Sequence, residues 1–150
     1  MIVYEVPKDA SEEMITNVAD LLMGQMESIG LDNAYELLVN SIHLTLEEGS
    51  NAHLFVADVD GAILGAAFMN ISISLDKGGK YIWLNDLFVD KNHRNRGIAK
   101  KMLLKIIYWA ENNELKGIEL ETGINNEATK ALYNSLGFYD VVSKRYGFRF

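Results

Sequence analysis

Leu84-Asn85-Asp86-Leu87-Phe88-Val89-Asp90-Lys91-Asn92-His93-Arg94-Asn95-Arg96-Gly97-Ile98-Ala99 is the stretch on which the fold turns. Together with Tyr81-Ile82-Trp83 its first six residues form a nearly apolar run, which predicts a central strand over 81–89. A polar loop follows from Asp90 to Arg96. Behind Gly97, Ala99, Met102, Leu103, Ile106, Ile107 and Ala110 recur on one helical stripe, and Gly117 to Thr122 reads as a further strand. Strand, helix, strand in that order implies a right-handed parallel crossover.

Upstream the periods are equally legible. Residues 2–6 predict a short strand that Pro7 stops, and Asp9 with Glu12 three places later predicts a helix start. Met14, Val18, Leu21, Leu22, Met26 and Ile29 carry that helix to Gly30. A second helix is expected from Asp32 to Gly49, with Tyr35, Leu38, Val39, Ile42 and Leu46 on its apolar stripe. From Ala52 the period becomes two, and Asp60-Gly61 between Leu54–Val59 and Ala62 predicts a two-residue hairpin. Downstream of the crossover, a helix is expected over about 126–136, stopped by Gly137, with closing strands over 138–142 and 146–150. The fold class is α+β: a mixed, mostly antiparallel sheet with one parallel junction and helices on both faces.

A chain of 150 residues suffices for one domain, taken here as 1–150. With 49% hydrophobic and 23% charged residues it has the make-up of a folded globular protein rather than a disordered one. It has no cysteine, which excludes disulfides, thiol nucleophiles and Cys-ligated zinc. His43, His53 and His93 are too scattered to predict a metal site. No run approaches the roughly 18 apolar residues of a membrane span, and residues 1–6 show no basic region before a long apolar run, so a cytoplasmic protein without a membrane partner is expected. The net charge of −7 argues against nucleic acid. That sum conceals a partition: residues 1–75 hold twelve acids and one base, while residues 76–150 hold nine acids and thirteen bases.

Six of those bases, Lys91, Arg94, Arg96, Lys100, Lys101 and Lys105, fall within fifteen residues that contain no acid. A solvated helix face has the same composition. Their place at a strand-to-helix corner favours an anion site, because unpaired N–H groups and the helix dipole converge there.

The order Val89, then Arg94-Asn95-Arg96-Gly97-Ile98-Ala99, resembles the [RQ]-x-x-G-x-[GA] acyl-coenzyme A signature of the GNAT superfamily of N-acetyltransferases. The resemblance extends over nearly the whole chain through the order of elements, through Asn126 and Tyr133, and through Leu136-Gly137-Phe138. Residues 84–89 and 126–133 are similar to stretches of the diamine (spermidine/spermine) acetyltransferases. The resemblance implies a GNAT-like sheet with a splayed parallel strand pair. In it the pantetheine arm of acetyl-CoA pairs with the strand at Leu87, Phe88 and Val89, and the pyrophosphate lies on Asn95 through Lys100. It further implies that Asn126 hydrogen-bonds the cofactor, although asparagine is a favoured helix N-cap in any case. Tyr133, otherwise one more core aromatic, takes the role of general acid toward the departing thiolate. The resemblance also allows a homodimer.

The general base has several candidates. A glutamate on the central strand serves the diamine enzymes, and Asn85, which cannot accept a proton, stands in its place. Asp86 is adjacent but faces the other way unless a bulge intervenes. A water held by Asn85, Glu119 or Glu121 is the alternative. The acidic first half, with Glu27, Asp32, Glu36, Glu47 and Glu48 as candidates, suits a cationic acceptor, Glu36 and Asn85 being the expected substrate contacts. The function expected is acetyl transfer from acetyl-CoA to a small primary amine by direct attack in a ternary complex. Acetylation of a protein N-terminus or lysine is the second reading, and a non-catalytic acyl-CoA-binding module the third.

Overall fold

The computed structural model describes residues 1–26, 33–122 and 126–150. Asp60 at φ 52° and Gly61 at φ 90° occupy the two left-handed positions of a tight hairpin. β2 (Ala52–Val59) and β3 (Ala62–Ser74) therefore pair antiparallel around them. β1 (Ile2–Glu5) adds to β2, β4 (Gly79–Val89) adds antiparallel to β3, and β5 (Ile118–Leu120) lies parallel to β4. The sheet order is β1-β2-β3-β4-β5, so β3 is the middle strand and β4 an interior one.

α1 (Glu12–Met26) starts where Ser11 Oγ accepts the Met14 N–H at 3.1 Å. The cap is thus Ser11 and not Asp9. α2 (Ala34–Thr45), α3 (Ile98–Asn112) and α4 (Glu127–Ser135) complete the helices. The expected helix stop at Gly30, with Ile29 and the acids Glu27 and Asp32, lies outside the described residues.

Strand alternation divides the interior in two. On one face Phe55, Ala57, Met69, Ile82 and Leu84 pack with Ile98, Met102, Leu103 and Ile106 of α3, and Leu132, Tyr133 and Leu136 of the α4 region join them. On the other, Leu54, Val56 and Ala66 meet Ile15, Val18, Ala19 and Leu22 of α1 and Ile42 of α2. Gly65 admits α3 onto the sheet, since a Cβ there would sit 2.7 Å from Met102 Sδ and 3.2 Å from Ile98 Cγ2.

One irregularity interrupts the pairing of β3 with β4. Phe68 pairs with Asp86 but Met69 pairs with Leu84, so Asn85 is an extra residue bulged out of β4. Ile82 and Leu84 before the bulge, and Leu87 and Val89 after it, all pack toward α3, while Phe88 packs toward α1. The bulge leaves Asn85 and Asp86 together on the α1 side.

The closing strands expected over 138–142 and 146–150 do not form: the tail carries no sheet pairing, and Tyr139, Val142 and Phe148 are 80%, 99% and 87% exposed. Alternation at Tyr146, Phe148 and Phe150 gives a face of β-forming residues, but a strand exists only against a partner strand, and β5 pairs on its β4 side alone. β3 ends at Ser74, and Leu75 is exposed in the turn that follows.

Candidate active site

β4 and β5 pair only from Ile82 to Leu84 against Ile118 to Leu120. Beyond that point a polar cavity of about 200 Å³ opens, lined by residues of four elements: Gln25 of α1, Leu84 to Leu87 of β4, Leu120 to Thr122 at and after β5, and Asn126, Thr129 and Tyr133 at α4. It thus joins the Asn85-Asp86 bulge to Tyr133 across a gap between strands, although the two pack on opposite faces of the sheet.

Each wall has a local cause. Asn126 caps α4, its Oδ1 accepting the Thr129 N–H at 3.2 Å, so the helix start is fixed at the cavity rim. One side of Tyr133 rests on the Phe138 ring at 5.6 Å, and the phenol is half-buried. That burial raises its pKa above the ordinary 10.0 of a phenol, because the phenolate loses hydration there. Asn70 Nδ2 donates to Asn85 Oδ1 at 2.8 Å, tying the bulge to β3, and Gln25 Nε2 donates to Asp86 Oδ1 at 3.3 Å from α1.

Beyond the far end of β4 lies the cationic turn. Lys91–His93 form one turn of 3-10 helix, which Asp90 fixes by accepting the Asn92 N–H at 3.2 Å and by its 2.6 Å contact with His93 Nδ1. The His93 hydrogen bond, foremost, holds the Asp90 carboxyl below its usual value. Arg94 Nε donates to the Val89 carbonyl at 3.3 Å, and its guanidinium lies 5.6 Å over the Phe88 ring. Asn95 at φ 63° and Gly97 at φ 78° both take the left-handed conformation and turn the chain into α3. No side chain caps α3. Its first helical bond runs from Lys101 N to Gly97 O, so the N–H groups of Ile98, Ala99 and Lys100 have no partner within the helix. Three unpaired donors, an adjoining glycine and exposed Arg94, Arg96 and Lys100 fit the pyrophosphate of a coenzyme.

The sequence of residues 15–138 matches the model of the acetyltransferase (GNAT) family. The chain belongs to that family. It is 29% identical over 106 residues to a probable spermine N(1)-acetyltransferase of Bacillus subtilis subsp. natto, covering 67% of this chain and 70% of that protein. It is 26% identical over 87 residues to aminoglycoside N(6')-acetyltransferase type 1 of Salmonella typhimurium, covering 56% and 60%. A crystal structure of a probable acetyltransferase has the same fold, with a TM-score of 0.84 at 21% identity over 100% of this chain and 98% of that one. The activity is N-acetyl transfer, and enzymes of the family use acetyl-CoA.

In this acetyltransferase the expected residues fall into two groups. Asn85, Asp86, Leu87, Asn126 and Tyr133 line the cavity, while Phe88 and Val89 lead from it to the turn that holds Arg94 through Lys100. Glu36 lies in the first turn of α2, exposed and outside the cavity lining. Glu121 lines the cavity but meets Arg145 at 2.7 Å, and Glu119 is outside it, bound to Lys77 at 2.9 Å. Gln25, Thr122 and Thr129 are lining residues that no motif marks. The α1–β4 contact brings in Gln25, the α4 cap Thr129, and the chain just beyond β5 Thr122. A larger, open hollow at the other end of β4, lined by Gly79, Lys80 and residues 113–116, brings together no such set of groups.

Proposed function

We propose that the protein transfers the acetyl group of acetyl-CoA to a small, cationic primary amine by direct attack in a ternary complex. The bulge at Asn85 carries this reading, because it sets the Asp86 carboxylate and the Tyr133 phenol on one cavity. Leu87, Phe88 and Val89 offer backbone groups to the pantetheine arm where the strands part. Arg94, Asn95, Arg96, Gly97, Ile98, Ala99 and Lys100 receive the pyrophosphate, and the Asn126 amide group donates to the cofactor.

An alkylammonium with pKa of about 10.4 is deprotonated in only about one part in 10³ at pH 7. Asp86 accepts its proton, directly or through water, and Asn85 orients the amine. The freed nitrogen attacks the acyl carbon as the carbon–sulfur bond breaks. Tyr133, protonated at neutral pH, gives its proton to the departing thiolate as the carbon–sulfur bond breaks, and the phenolate regains a proton from solvent. A chain without cysteine has no thiol to carry the acetyl group, which supports direct transfer. The engagement of Glu119 by Lys77 and of Glu121 by Arg145 favours Asp86 over the relayed alternatives.

The acceptor class rests on the acid-rich first half of the chain, including Glu36, which draws cations through its field rather than by contact. The spermine-directed name of the Bacillus relative points the same way. A second copy of the chain is the proposed protein partner, supported by the unpaired apolar tail.

The test is thiol release from acetyl-CoA with a panel of spermidine, amino acids, aminoglycosides and short peptides. Small polyamines should turn over fastest, and peptide preference would sink the acceptor assignment. Asp86→Asn should lower the rate ~10²–10⁴-fold at pH 7. The deficit should shrink toward pH ~9.5, where far more of the amine is already neutral. A loss equal at both pH values would remove Asp86 as the base.

A further inference from the structure

Asp86 sits beside a bulge, where the strand ladder is interrupted and regular pairing does least to hold a side chain. Its carboxylate is held from outside the sheet, by Gln25 Nε2 at 3.3 Å. Gln25 is half-buried near the C-terminal end of α1, 61 residues away in sequence. The contact depends on how close α1 comes to β4. A Cβ built on Gly24 would lie 3.2 Å from Phe88 Cζ, so the missing side chain lets the helix rest on the ring two residues beyond Asp86.

We infer that Gln25 is a positioning residue for the acceptor half of the reaction, an inference that rests on Asp86 being the base. With Oδ1 engaged by the amide, Oδ2 is the oxygen that receives the amine's proton. The donor's chemistry suits this task. A lysine or arginine at position 25 would also hold the carboxylate, but would place a positive charge where a cationic acceptor must enter. The glutamine amide is a neutral donor that orients the carboxylate and leaves the attraction for the substrate intact.

The experiment compares Gln25→Leu, Gln25→Glu, Asp86→Asn and the double variant Gln25→Leu/Asp86→Asn. Gln25→Glu keeps size and shape but replaces the donor with a like charge, so a residue that merely packed would tolerate it. Both single Gln25 variants should lower kcat roughly tenfold or more at pH 7, with the KM for acetyl-CoA and the melting temperature essentially unchanged. Their deficit should narrow as pH rises and the amine needs less help. In the Asp86→Asn background, Gln25→Leu should add no further loss, because the two act as one unit. Normal turnover by Gln25→Glu, or an equal loss from Gln25→Leu with and without Asp86, overturns the inference while leaving the base in place. Full activity of Asp86→Asn alone would instead overturn the base assignment and, with it, any role for Gln25 exerted through it.

Discussion

At the scale of single residues, the proposed general acid is shaped by its surroundings. Burial raises the Tyr133 phenol above 10.0. A general acid works in its protonated form, so this shift extends its useful range upward: activity that depends on it is retained below pH 10 and is lost only as pH rises through the elevated pKa. The same sign applies to stability. The neutral phenol is favoured in the folded chain at lower pH, and that contribution disappears once alkaline pH ionises the group in the folded state. Tyr133→Phe should therefore lower kcat by ~10²–10⁴ across the neutral range while leaving acetyl-CoA affinity nearly unchanged. The added melting temperature conferred by saturating acetyl-CoA should be the same in both proteins. Turnover equal to that of the unsubstituted enzyme would remove Tyr133 from the mechanism. The Phe138 ring at 5.6 Å remains available to phenylalanine, so folding is not the variable under test.

At the scale of elements, what the sequence reveals depends on how local the cause is. Asp60-Gly61 and the Gly97 corner are legible because a left-handed backbone at φ 52° to 90° demands particular residues wherever it occurs. The α3 stripe is legible because one period serves one packed face. The bulge is not, since register belongs to two strands at once: only Phe68 opposite Asp86 and Met69 opposite Leu84 expose Asn85 as surplus. Gln25 is not, since its partner arrives through the seat of α1 on Phe88. Glu36 bears the right charge, but the placement of α2 leaves it outside the cavity. The α3 corner also yields a prediction. An L-residue in the left-handed region costs about 1–2 kcal/mol, so Gly97→Ala should lower the melting temperature by roughly 2–8 °C in a chain of this size. Relaxation of that strain would turn the α3 N–H groups away from the coenzyme and raise the KM for acetyl-CoA about three- to tenfold, with kcat little changed. Unaltered KM in steady-state assays would show that those N–H groups do not bind the pyrophosphate.

At the scale of the whole molecule, the net charge of −7 is the sum of two unlike regions, and the apolar surface is divided just as unevenly. Exposed apolar side chains are scattered singly over the helices and strands, as at Ile73 and Tyr108, whereas in the tail Tyr139, Val141, Val142, Tyr146, Phe148 and Phe150 all stand in water. The last three alternate along the chain, as residues on one face of a strand do. The sheet, meanwhile, ends at β5 with an open edge. The signs match as well: the tail carries Lys144, Arg145 and Arg149 against Asp140, the β5 region carries Glu119 and Glu121, and Arg145 already meets Glu121 at 2.7 Å. In the proposed dimer the tail of each copy would add to the β5 edge of the other, an exchange that would leave neither unpaired. Light scattering after size-exclusion chromatography should give the mass of two chains at micromolar concentration. Replacing Tyr146, Phe148 and Phe150 together by serine should give the mass of one, with acetyl-CoA still raising the melting temperature. A single-chain mass for the unsubstituted protein would remove the proposed partner.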